Sequence, residues 1–145
     1  MSRKLLILIL LIASFYGAIQ SQPSSFVGFS VLANENQQVL EEAFTNQRSN
    51  IQVKGEGIVI KILTDDLNGS KHQRFIIKLA SGQTLLIAHN IDIAPRIEAL
   101  QKGDLIGFYG EYEWNSQGGV IHWTHHDPKG DHVSGWIKHK GNIYQ

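Results

Sequence analysis

Beyond residue 50 the apolar positions of the chain recur every second residue; just before it they recur every third or fourth. Val39, Leu40, Ala43 and Phe44 share one helical face, and Asn34 with Gln37 three residues on has the form of a capping box, which predicts a helix over about 35–47. The stretch 20–33 has no sustained period and is expected to be a linker. From Ile51 the period is two. Ile58, Ile60 and Ile62 alternate with Val59 and Lys61, with Gly55 and Gly57 leaving room for a bulge. Asp65 to Ser70 is turn chemistry, after which Phe75, Ile77 and Leu79 alternate with Arg74 and Lys78. Ser81-Gly82 makes a hairpin into a third strand, 84–89. Asp92 then predicts the cap of a short helix with Ile93, Ile97 and Leu100 on one face, Pro95 in its first turn and Gly103 as its stop. Strands over 105–114 and 120–126, joined by the turn 115–119, complete the pattern.

Strand, strand, strand, helix, strand, strand is the order of a mainly β, OB-like five-stranded Greek-key barrel, here with a helix ahead of it. Ile60, Phe75, Ile77, Leu86, Phe108 and Ile121 are its expected core. The domain reading is a leader over 1–21, a linker and helix over 22–50, and the barrel over 51–145. The length of 145 residues and the 42% apolar content suit one such domain.

The leader changes the picture of charge and compartment. Arg3 and Lys4 precede an unbroken apolar run from Leu5 to Ile12, the arrangement of a secretory signal, so the expected location is periplasmic or secreted. The apolar stretch is shorter than the roughly 18–20 residues of a spanning helix, and no transmembrane segment is expected in the mature chain. With no cysteine there is no disulfide framework, and the fold must hold by packing. Of 13 basic and 13 acidic residues, Arg3 and Lys4 leave with the leader, so 11 basic face 13 acidic ones. That balance argues against a nonspecific nucleic-acid binder and leaves an envelope ligand or protein as the expected partner. Protonating the seven histidines would reverse the sign.

Chemistry concentrates in HWTHHDPKGDH, residues 122–132. Strand alternation puts His122, Thr124 and His126 on one face. Closure of an OB barrel runs the third and fifth strands parallel, which would bring His89, Asn90 and Asp92 to the same rim as His126 and Asp127. Two or three of His89, His122, His126 and His132 with Asp92 or Asp127 would suit a divalent metal such as zinc. The competing reading makes Asp127 a turn residue, Asp92 a cap and His125 an inner histidine. Arg74 and Arg96, with Asn90, are candidate ligand-binding residues; either arginine could clamp a phosphate or carboxylate, or pair with Asp92 or Glu98. Glu111 and Glu113 share one face of the fourth strand, as general bases or as polar exterior. Tyr109, Tyr112, Trp114 and Trp123 could stack on a base or sugar, or fill the core. No catalytic residue is assigned.

HQRFI, HNIDIAPRI, GEYEWN and GGVIHWTHHDP resemble segments of a family of small exported bacterial proteins classified as a domain of unknown function. The resemblance runs from about residue 52 to the C-terminus and implies no activity. Together these features point to an exported OB-like binding module with a His/Asp-rich rim. The alternative is a metal-assisted phosphodiesterase or nuclease-like hydrolase: the barrel resembles thermonuclease in architecture, but that family's Asp-Gly-Asp-Thr signature is missing.

Overall fold

The computed structural model describes the backbone from Ser24 and side chains from Glu35 to Gln145. The leader, 1–21, lies outside the described residues. Helix α1 spans Ser24–Thr45 and seven strands follow: β1 (Ile51–Ile62), β2 (His72–Lys78), β3 (Thr84–Asn90), β4 (Leu105–Glu113), β5 (Val120–His122), β6 (Trp136–His139) and β7 (Asn142–Tyr144). The helix therefore begins well before the expected residue 35, most of the expected linker is helical, and Asn34 lies within the helix and not at its start. Its last turns contribute Leu40 and Ala43 to the core, while Trp114 Nε1 donates to the carbonyl of Phe44 at 3.1 Å and the Trp114 amide to Ser49 Oγ at 2.9 Å. No helix among the described residues is long and apolar enough to cross a membrane.

The sheet runs β1-β2-β3-β5-β4, and β1 pairs again with β4, which closes a five-stranded barrel of the OB type. Only the β3–β5 contact is parallel, with Leu86 beside Val120 and Ile87 beside Ile121. Burial alternates as β geometry requires: on β4, Ile106, Phe108, Gly110 and Tyr112 point inward, and Tyr109, Glu111 and Glu113 outward. Phe75, Ile77, Phe108 and Ile121 are fully buried as expected. Ile60 and Leu86 are not. On β1 the core side chains are Val53 and Val59, a register slip between Val59 and Lys61 lies just beyond, and Ile58 and Ile62 are exposed. On β3 the inward pair is Leu85 and Ile87. Both strands carry apolar residues on both faces, so periodicity alone left the choice of face open.

The short helix expected between β3 and β4 does not form; the segment from Ile91 to Gly103 is a series of turns. Its backbone finds partners elsewhere. The side-chain amide of Gln73, buried on β2, accepts from the Ile97 amide at 2.9 Å and donates to the Ile97 carbonyl at 3.0 Å, in place of a helical ladder. Asn90 Oδ1 accepts the Asp92 amide, and the Asp92 carboxylate is taken by the Lys71 amide rather than by a helix start.

β5 ends at His122 instead of running to residue 126. Trp123 stands at φ 53°, a left-handed conformation that is costly for a bulky side chain and breaks the pleat. The chain leaves the sheet there and returns at Trp136, since β5 pairs with Glu111–Glu113 of β4 and β6 with Ile106–Tyr109 along the same edge. HWTHHDPKGDH is thus mainly an excursion from a single strand line. Two glycines permit its narrow neck: a Cβ on Gly110 would lie 2.4 Å from the His122 carbonyl oxygen, and one on Gly135 2.1 Å from that of Trp123.

A candidate metal-binding group on the outer face of the barrel

The left-handed turn at Trp123 dissolves the expected same-face trio. Thr124 and His125 are buried and His126 is exposed. His89 is fully buried, with Nε2 3.2 Å from the Pro95 carbonyl and Nδ1 2.8 Å from Thr124 Oγ1. A carbonyl only accepts, so Nε2 carries the proton and Nδ1 takes the threonine hydroxyl; the ring is neutral and fully engaged. Burial drives its pKa from 6.5 down to about 4, opposed in part by the Pro95 bond.

Asp127 accepts the His132 amide at 2.7 Å and the Lys129 amide at 3.0 Å. These bonds, that of His132 foremost, hold its carboxyl below the usual range. His132 gives Nδ1 to the Val133 carbonyl and stacks on Trp123 at 4.3 Å between ring centroids. Asp92 pairs with Lys71 at 3.7 Å. Asn90 serves its own turn. Arg74 donates through Nε and Nη2 to the Thr64 carbonyl, and Arg96 pairs with Asp65 at 3.0 Å and Glu98 at 3.3 Å. Both arginines therefore brace the segments around the β1–β2 loop.

Of the sequence candidates, His122 is the one that falls in a group of three potential metal ligands among the described residues. In the β4–β5 register Glu111 lies opposite His122, and Glu113 is two residues along on the same outward face. Among the described residues, the group of three or more potential ligands with donor atoms all within 4.8 Å of one another is Glu111, Glu113 and His122. His122 Nε2 lies 3.7 Å from Glu111 Oε1 and 3.9 Å from Glu113 Oε1, too far for hydrogen bonds. That atom is buried and makes no hydrogen bond. Three donors around a tetrahedral zinc stand about 3.4 Å apart, so the two distances need to close by only a few tenths of an ångström.

The electrostatics favour a neutral imidazole. Desolvation lowers the pKa of His122, the two glutamates oppose this, and the nearby His72 and His132 reinforce it, with a net downward result. A neutral ring beside two carboxylates is the form a transition metal binds. Glu111 and Glu113 were visible in the sequence as one strand face, and His122 as a strand residue. What brings them together is the register of the β4–β5 pairing across the turn at 115–119, which strand alternation alone does not fix.

Residues 21–145 match the model of a family of proteins of unknown function, DUF3465, and the chain belongs to that family. No curated protein matches the chain.

Proposed function

We propose that this member of DUF3465 is an exported OB-like binding module that holds a divalent transition metal, zinc foremost, on its barrel face through Glu111, Glu113 and His122. One observation carries the reading: a mixed imidazole–carboxylate donor set within 4.8 Å, one member of which has a buried ring nitrogen without a hydrogen bond. Three protein ligands leave a fourth position for an exogenous group, the arrangement of an accessible rather than a purely structural zinc. The same open position would also serve metal-assisted hydrolysis by activating water, which keeps a phosphodiesterase as the second reading. Export rests on Arg3, Lys4 and the apolar run from Leu5 to Ile12.

Calorimetric titration of the purified protein with zinc tests the metal. Wild type should bind one equivalent, and His122→Ala and Glu111→Gln should each lose at least tenfold in affinity while keeping the wild-type thermal transition. Binding unchanged in both variants would refute the site. Intact-mass measurement on protein recovered from the periplasm or medium should show removal of about the first 18–21 residues. A full-length cytosolic product would refute export.

A further inference from the structure

The β1–β4 register sets Gln52 opposite Glu111, and the β4–β5 register sets His122 opposite Glu111 from the other side. Gln52, Glu111 and His122 thus form one cross-strand row on the outer face. Among the described residues, three buried side-chain polar atoms make no hydrogen bond: Gln52 Nε2, Gln83 Oε1 and His122 Nε2. Two of the three flank Glu111 in this row. Buried donors and acceptors are seldom left unpaired, because each forgoes its water without replacement. In the adjacent row Lys54 stands opposite Tyr109, and its Nζ lies 5.5 Å from the centroid of the Trp136 ring. That cation is held on the same face, two residues from Gln52.

We infer that the row beside the metal group is an oxyanion site: a singly charged oxyanion of the phosphodiester or carboxylate kind fills the open metal position, accepts from Gln52 Nε2 and is neutralised by Lys54. This rests on the metal reading. The charges balance, since a divalent ion with two carboxylates and a neutral imidazole is neutral and Lys54 adds one positive charge. Gln52 and its cross-strand neighbours are close enough for a long side chain to reach a group bound over Glu111. A carboxamide and an ammonium on one side of the ion also explain the ligand class, because both are donors where a metal-bound oxyanion presents acceptors.

Cobalt-loaded protein provides the test, with occupancy followed by the cobalt absorption. Dimethyl phosphate, observed through paramagnetic relaxation of its phosphorus, and acetate, observed through its methyl protons, are the two probes. At least one should bind near the ion, and the tighter of the two identifies the class. Gln52→Leu and Lys54→Met should each weaken that binding about tenfold, compared at full cobalt occupancy as read from the absorption. If cobalt binds and neither probe relaxes, or if the Gln52 and Lys54 variants bind the probe like wild type, the oxyanion site is overturned and the metal site stands. If cobalt does not bind, both fall.

Discussion

Acidification from pH 7.5 to pH 4 should weaken the fold through His89. The ring is fully buried and neutral in the folded state, with its pKa lowered to about 4, mainly by desolvation, whereas in the unfolded chain it titrates near 6.5. Between those values the unfolded chain holds the extra proton, so stability falls as pH falls. The contribution is fully present above about pH 7 and is lost progressively down to about pH 4. Each pH unit in that window is worth about 1.4 kcal/mol, which makes the total about 3 kcal/mol. That is a large share of a small domain's stability of roughly 5–15 kcal/mol. Urea unfolding followed by tryptophan fluorescence at half-unit pH steps measures it. His89→Gln keeps a side chain that can donate and accept, and removes the titration. The variant will be less stable at pH 7.5, but its stability should be nearly flat where the wild type slopes, so the two curves should converge towards pH 4. Parallel curves would refute the reasoning, because His122 and every other titrating group contribute equally to both.

Gly55→Ala should cost about 1–3 kcal/mol in thermal or urea unfolding, since the new Cβ would lie 2.7 Å from Cζ of Phe108, whose ring is fully enclosed. Phe75→Ala should cost about 3–5 kcal/mol through lost burial and the cavity left behind; a change under about 1 kcal/mol would place Phe75 outside the core. Gly110→Ala puts a methyl against the His122 carbonyl and should weaken zinc binding as well as stability by spreading β4 from β5 at the ligand pair, which calorimetry reads directly. Asp104 accepts the Gln101 amide and the buried His139 Nε2, both at 2.8 Å, and these bonds hold its carboxyl below the ordinary range. Its stabilisation is present above the unfolded carboxyl pKa and lost as pH falls through the lower folded value, so Asp104→Asn should flatten the most acidic part of the stability curve.

Local sequence determined the five barrel strands and, apart from the end of β5, most of their limits, because an alternating pattern with turn residues between segments depends only on positions a few residues apart; β6 and β7 were not legible as strands. Phe75, Ile77, Phe108 and Ile121 were legible as core for that reason, as was the parallel closure of the third and fifth strands from the order of elements. Where a strand is apolar on both faces, as at Ile58–Ile62 or Leu85–Leu86–Ile87, alternation has no preferred side, and packing across the barrel selected Val59, Leu85 and Ile87. The segment after Asp92 had good helical signals, yet the Gln73 amide, 24 residues away, captured both backbone groups of Ile97. The histidine-rich stretch promised a rim of ligands on one pleated face. A left-handed Trp123 ended that pleat, while Thr124 and Pro95 occupied His89, so the expected row of ligands on one face did not form. The group that did assemble joins residues 111, 113 and 122 across a register between two strands. Register is set by the closing of the barrel together with the turn at 115–119, and the alternation of either strand by itself does not determine it.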